Sequence, residues 1–345
     1  MSKALSVVVV GAGLMGRWHA EAAVRAGGRV KAVIDRDLAR AEALAAQYSN
    51  SIARPQLGAA LQGRETSVVH LCTPSPTHES LAREAIEAGY HVLAEKPLAP
   101  TLAATRRLLD LAAARRVLLC PVHQFVFQRG TLRMFRMLPR LGAVRHVDLV
   151  ICSAGADGQS DAVRDQVAFD TLPHPFSLLV RLLGAQFAGI SWTVAHAGAG
   201  ELRLSGVAPG VTAGLIVSMS GRPPRNMVRV IADRGSVSSD LFHGFATFEK
   251  GTVSRARKIL RPLSTSSVDF GAAMTNLGRR LLEREYAYPG LRELVRRLYV
   301  AAAENGPNPI SPADTLAVSA ACDHVVASCR VAPAAIGDGS AREEI

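Results

Sequence analysis

Lysine is scarce in this 345-residue chain: five residues (Lys3, Lys31, Lys96, Lys250, Lys258) among 40 basic ones, leaving 40 − 5 = 35 arginines. Aromatic residues make up 5%, and cysteine occurs at only five positions (72, 120, 152, 322, 329), with no Cys-x-x-Cys pair. An odd, unpaired set excludes a disulfide framework, gives no metal site, and fits a reducing, cytoplasmic setting. No uncharged stretch suits a membrane helix. Leu204–Gly221 comes nearest, but holds Pro209 and four glycines. Lys3 before Val7–Val10 looks like the start of a signal peptide, yet the run collapses at once into a glycine turn and predicts a buried strand. There is also no compact run of five bases. Forty basic residues against 29 acidic give a net charge of +11, which favours acidic ligands, phosphorylated compounds included. The scatter of the arginines over helical faces counts against nucleic acid.

What is present is a 48% hydrophobic chain, long enough for two domains, with a regular rhythm at its start. Short β-branched runs (Val7–Val10, Val30–Ile34, Ser67–Leu71, His91–Ala94, Val117–Leu119) alternate with helical patterns over 14–26, 37–48, 77–88 and 101–115, and Thr77 and Thr101 stand where N-caps belong. Strands without polar alternation are buried on both faces, as in a doubly wound parallel sheet. The rhythm changes near residue 122. A helix (131–140), a strand (Val144–Cys152), a loop rich in Gly, Ala and Asp, and a helix (174–183) are followed by strand-like segments from Phe187–Val194 to Ala246–Phe248, joined by short turns. This predicts an α/β then α+β chain: a Rossmann domain over 1–122, a domain with an open, mainly antiparallel sheet over 123–330, and a tail over 331–345. The last helix (311–329) is placed to return to the first domain.

Four constellations carry chemistry. Gly11-Ala12-Gly13-Leu14-Met15-Gly16 follows a strand and opens a helix, where each glycine has a task in seating a pyrophosphate at a helix N-terminus. Asp35 lies 35 − 16 = 19 residues on, at the end of the next strand, and suits a ribose; it favours NAD, while Arg36 beside it keeps NADP open. Cys72-Thr73-Pro74-Ser75-Pro76-Thr77-His78 and Glu95-Lys96-Pro97 each leave a strand at the ligand-facing edge. The first reads equally as a plain connection. The second reads as a strand-end salt bridge or as an ammonium that holds a substrate oxygen. Asp170 and His174 stand at i, i+4 before an apolar helix face, with Pro173 and Pro175 in its first turn. An imidazole there is kept neutral, able to take a proton, with Asp170 to steady the imidazolium; the plainer alternative is a structural histidine.

Together these motifs resemble the glucose–fructose oxidoreductase/inositol dehydrogenase/MocA-like family over nearly the whole chain. Val8–Gly16, Thr73-Pro74 with His78, Glu95-Lys96-Pro97-Leu98-Ala99 and the Asp170/His174 pair match its motifs in order and spacing. The resemblance implies an NAD(P)-dependent oxidoreductase acting on a sugar, nucleotide-sugar or cyclitol, assembled as a homodimer or homotetramer through its second sheet. It implies Lys96 and His174 as the acid/base pair, with Asp170 binding substrate or orienting His174. Gly11, Gly13, Met15, Gly16, Asp35, Arg36, Thr73, Pro74, His78, Glu95 and Lys96 would line the cofactor site, and Gln124 would meet its nicotinamide end. Three positions depart from the pattern: Leu172 replaces Gly, Ser177 a carboxylate and Val126 an Arg. A nucleotide-linked substrate would meet Arg279, Arg280, Arg284, Arg292, Arg296 and Arg297, while the stretch 272–284 reads as a subunit contact ahead of a membrane-surface helix. The competing classes are a catalytically silent NAD(H)-binding regulator and a nucleic-acid-binding protein.

Overall fold

The computed structural model describes residues 4–61, 67–251, 255–285 and 287–331; positions 332–345 of the expected tail lie outside them. Its first part alternates β1 (Ser6–Val10), α1 (Leu14–Arg25), β2 (Arg29–Ile34), α2 (Leu38–Ala45), β3 (Ile52–Arg54), β4 (Ser67–Leu71), α3 (His78–Glu87), β5 (His91–Ala94), α4 (Leu102–Arg115) and β6 (Leu119–Pro121). All six strands are parallel, in the order β3-β2-β1-β4-β5-β6. The chain winds outward from β1 and then, from β4, the opposite way, so a crevice opens at the carboxyl ends of β1 and β4. The valines of β1 are buried on both faces. Thr101 caps α4 by accepting the Ala104 N–H (3.1 Å). Thr77 does not cap α3. A 3₁₀ turn over Ser75–Thr77 runs straight into that helix, and the Thr77 hydroxyl donates back to the Pro74 carbonyl (2.8 Å).

The second part contains α5 (Arg129–Leu141), β7 (Val144–Cys152), α6 (Asp161–Thr171), α7 (Pro173–Leu183), β8 (Ser191–Gly198), β9 (Glu201–Ala208), β10 (Val211–Ser218), β11 (Arg225–Ala232), β12 (Gly235–Asp240), β13 (Phe245–Lys250), α8 (Arg255–Glu283), α9 (Leu291–Glu304) and α10 (Pro312–Val331). Seven strands form one sheet in the order β13-β12-β11-β7-β10-β9-β8. Its centre is a parallel pair, β7 with β10, and every other neighbouring pair is antiparallel. After β7 the chain leaves through α6 and α7 and re-enters at the edge strand β8, which makes β7 a central strand.

Two sequence expectations are corrected here. The segment read as a loop before residue 174 contains α6, and the strand expected from Phe187 starts at Ser191. Gly184–Gly189 is a 3₁₀ turn that drives Phe187 into the core, edge-on to Phe176 (ring centroids 6.2 Å apart). One face of the second sheet buries Leu204, Leu215, Val217, Val228 and Val230 in a core shared with α7, and the other stays open. α10 packs on both α4 and α7, and α9 packs on α1, tying the two parts together.

Candidate functional site

The glycine turn is shaped by close approach. A Cβ on Gly16 would lie 1.8 Å from the Gly11 carbonyl oxygen; Gly11 itself has φ +98°, and its Cβ would meet the Cys72 carbonyl at 2.8 Å. Above Gly13 nothing lies within 4 Å of where a Cβ would be. Gly13 precedes α1 and supplies no capping side chain, which leaves the first-turn N–H groups for an anion. Asp35, at the end of β2, accepts the N–H of Ala12 (2.8 Å) through Oδ2 and that of Asp37 (3.0 Å) through Oδ1. Each oxygen keeps a second lone pair for a ribose hydroxyl. Arg36 is exposed beside it, and Met15 is half-buried at the start of α1. The crevice therefore fits a dinucleotide: a cradle without side chains for the pyrophosphate and a carboxylate for the adenosine ribose.

The β4 and β5 ends are locked to each other. Buried His78 bridges the Thr73 and Pro97 carbonyls (2.7 Å each), which sets the Thr73-Pro74 loop against the Lys96–Pro97 segment. Glu95 points inward rather than pairing with the Lys96 ammonium. Its Oε2 accepts the Lys96 backbone N–H (3.2 Å), and its Oε1 meets His19 Nε2 (3.1 Å). Beyond it runs a buried chain: His19 Nδ1 to His70 Nδ1 (3.1 Å) and His70 Nε2 to the Tyr299 hydroxyl (2.9 Å). Burial, helped by the neighbouring His19, holds His70 well below the usual imidazole range, and burial holds Tyr299 well above the usual phenol range. Burial pushes the Glu95 carboxyl up, but bonding to His19 and the Lys96 charge leave it net lowered, so it is an anion. The chain thus gives each buried ring nitrogen of His19 and His70 a partner. Tyr299→Phe leaves the buried His70 Nε2 without its partner. We expect it to lower unfolding free energy by about 1–3 kcal/mol in urea titrations; an unchanged midpoint would contradict this chain.

Lys96 reaches the other way. Its Nζ donates to the Asp170 main-chain carbonyl (2.9 Å) in the last turn of α6, across the boundary between the two sheets. His174, in the first turn of α7, is buried and stacked on Phe125 (centroids 4.4 Å apart, planes at 22°), and its Nδ1 has no partner. Burial first, then the Lys96 charge and the neighbouring His123, hold the imidazole well below its usual range, so it is neutral and free to accept a proton. The Lys96 charge is thus felt at His174. The structure does not bring the Asp170 carboxylate to His174. Oδ1 accepts from Gln166 Nε2 (2.8 Å) and Oδ2 from Ser75 Oγ (3.4 Å), because the break at Leu172-Pro173 puts the two residues on different helices. Ser177 donates to the His174 carbonyl (2.7 Å).

His174, Thr171, Phe125, Gln124, Asn226 and Tyr288 line a cavity of about 690 Å³ that Ile151 of β7 and Leu277 and Leu281 of α8 also border. Among the residues around it, Gln124 Oε1, Gln128 Oε1 and Asn226 Oδ1 are buried acceptors without a partner in the protein. A second cavity, about 680 Å³, lies on the Asp170 side against Pro97 and α10. Several of the arginines expected to meet a nucleotide are already engaged: Arg296 and Arg297 pair with Glu293 (2.8 and 2.7 Å), and Arg280 donates to the Glu285 and His243 carbonyls. Among the described residues no cluster of His, Cys, Asp or Glu could hold a metal ion, and no helix is long and apolar enough to cross a membrane. All five cysteines are free thiols.

His70, His123 and His174 are buried as neutral rings, which makes stability depend on pH. Their folded-state pKa values lie below those of the unfolded chain, so the unfolded state binds protons first. Stability is full above about pH 6.5 and is lost as the pH falls below it. For His123, pushed down to about 4, the loss reaches roughly 3 kcal/mol at pH 4. Denaturation midpoints should fall between pH 7 and pH 5, and less steeply in His123→Gln; a flat profile in both proteins would count against buried neutral rings.

Residues 5–123 match a family described as "Oxidoreductase family, NAD-binding Rossmann fold". Inositol 2-dehydrogenase 4 of Saccharopolyspora erythraea is 33% identical over 198 residues, covering 55% of this chain and 57% of that protein. The match spans little more than half of either. Among solved structures, GenD2 from gentamicin A biosynthesis in complex with NAD superposes with a TM-score of 0.75 at 23% identity, covering 96% of this chain and 95% of that one. UDP-N-acetylglucosamine 3-dehydrogenase GnnA from Acidithiobacillus ferrooxidans gives 0.73 at 20%, covering 94% and 98%. At such identities the likeness establishes the two-part fold.

Proposed function

Since residues 5–123 match the oxidoreductase family with an NAD-binding Rossmann fold, we propose that the chain is a member of the glucose–fructose oxidoreductase/inositol dehydrogenase/MocA-like family and an NAD(P)-dependent dehydrogenase or reductase of CH–OH groups. Its substrate is a sugar, nucleotide-sugar or cyclitol. The observation that carries this is a dinucleotide cradle without side chains in the first part, with the Lys96 ammonium bonded across to the Asp170 carbonyl and a buried, unpartnered His174 Nδ1 at the start of α7. The bound dinucleotide supplies the hydride donor or acceptor. Gly11, Gly13, Met15 and Gly16 seat its pyrophosphate and Asp35 its ribose, with NAD preferred because a carboxylate repels a 2′-phosphate. Thr73, Pro74, His78 and Glu95 hold the crevice wall, and Gln124 stands at the nicotinamide end.

In oxidation, His174 Nδ1 accepts the substrate hydroxyl proton, and the Lys96 ammonium offsets the negative charge that develops on that oxygen. In reduction both roles reverse. Asp170 orients Lys96 through its carbonyl. A polyhydroxylated substrate brings the O–H donors that Gln124, Gln128 and Asn226 lack, and the similarity to an inositol 2-dehydrogenase and to a UDP-N-acetylglucosamine 3-dehydrogenase supports that class. A regulator that binds NAD(H) without turnover has no use for an unpartnered His174, which favours the enzyme. The free thiols fit the cytoplasm. The open sheet face, with Val207, Ile216 and Ile231 exposed, is a surface for a homodimer. The test is NADH and NADPH titration by fluorescence, followed by absorbance at 340 nm against free sugars, nucleotide-sugars and inositols. Binding with substrate-dependent turnover is expected; tight binding with no turnover on any of them overturns the reading.

A further inference from the structure

The longest helix faces the wrong way for a monomer. α8 turns its polar side toward its own chain: Arg261 pairs with Glu249 of β13, Asn276 Nδ2 donates to the His243 carbonyl (3.0 Å), Arg280 donates to the same oxygen (3.2 Å), and Glu283 pairs with Arg129. Its apolar residues face out. Ile259, Leu263, Phe270, Met274, Leu277 and Leu281 are each between 52% and 80% exposed. At 3.6 residues per turn they fall on one stripe about 60° wide. Together they expose on the order of 700 Å², more than the largest patch of a typical monomer and close to the ~800 Å² each partner gives to a standard interface.

The stripe is also symmetric along the helix except at Met274, whose mirror position is Ser266. Ile259 and Leu281 stand 270 − 259 = 281 − 270 = 11 residues either side of Phe270, and Leu263 and Leu277 stand 270 − 263 = 277 − 270 = 7. Positions 263, 267, 270, 274, 277 and 281 advance by alternating steps of four and three, the spacing of a two-helix seam, with Ser267 its one polar member. A two-fold axis requires such self-complementarity; a lipid surface does not.

We propose that α8 pairs antiparallel with the α8 of a second copy of this chain, with the two-fold axis at Phe270. The two Phe270 rings then meet each other, Leu277 meets the partner's Leu263, and Leu281 meets the partner's Ile259. Leu277 and Leu281 also line the large cavity beside His174. The partner's helix therefore closes its mouth, a consequence that rests on the dehydrogenase reading, whereas the pairing does not.

Oxidative cross-linking reads the axis directly. Phe270→Cys should form a covalent dimer on a non-reducing gel in most of the protein. Val268→Cys, also exposed but about 200° round the helix, should not exceed the background of the native thiols. Phe270→Glu should halve the mass found by sedimentation velocity, while the circular dichroism and NADH affinity of the chain stay unchanged. Equal cross-linking at 268 and 270, or no change of mass in Phe270→Glu, overturns the seam. So does co-sedimentation with phosphatidylcholine–phosphatidylserine vesicles that Phe270→Glu abolishes without altering mass, since the stripe then serves a membrane. If no sugar or inositol is turned over but Phe270→Cys cross-links, the reaction is wrong and the pairing stands.

Discussion

Replacing Lys96 by Met should lower kcat by about 10²–10⁴-fold while NADH affinity stays nearly unchanged. The methionine keeps the stem and removes the ammonium, and with it the bond to the Asp170 carbonyl and the cation beside the reacting oxygen. The glycine cradle, Asp35 and the His78 clamp do not depend on that charge, so the dinucleotide should still bind. A second consequence separates a chemical role from a structural one. The Lys96 charge is one cause of the lowered His174 pKa, so in Lys96→Met the imidazole holds a proton more readily. The acid limb of the residual oxidation rate should move to higher pH. A rate close to that of the unmodified protein, or a loss of activity matched by loss of NADH binding, contradicts the role given to Lys96.

Gly16→Ala should abolish NADH binding and destabilise the fold by roughly 1–3 kcal/mol or more. The added carbon would lie 1.8 Å from a backbone oxygen, that of Gly11, so α1 must move off the turn that it helps to shape. Gly13→Ala is the informative partner. Its φ of −73° suits any residue and nothing lies within 4 Å of the new carbon, so the fold should tolerate it. That open space is where the pyrophosphate has to approach, so binding should weaken all the same. Loss of binding without loss of stability at 13, and loss of both at 16, is the expected pattern in thermal melts with NADH titration. If Gly13→Ala binds NADH normally, the phosphates lie elsewhere.

The first sheet was readable in the sequence because buried parallel strands are continuous apolar runs and the glycine turn lies at a fixed place between strand and helix. The second part was less so. α6 buries only Ala168 completely, so it carries no apolar stripe and reads as loop. Phe187 sits in an apolar run whose flanking glycines, Gly184 and Gly189, bound a turn rather than a strand. The parallel pairing of β7 with β10 depends on a long return through two helices, which strand spacing does not record. At the candidate site, the spacing of Asp170 and His174 implied a carboxylate beside the imidazole, but a helix break intervenes. His19, His70 and Tyr299 left a fainter signal: a histidine on the buried stripe of α1, another inside the apolar strand Ser-Val-Val-His-Leu, and a tyrosine on the buried face of α9.

A crystal structure with NADH bound tests most directly whether the two sheets meet over a nicotinamide. The expected result is a pyrophosphate on the Gly11–Gly16 amides and a nicotinamide ring between the Glu95–Lys96 edge and the wall formed by Gln124, Phe125 and His174. A ring turned out to solvent, or one with Lys96 and His174 too far from its reactive face to share a substrate oxygen, would contradict it.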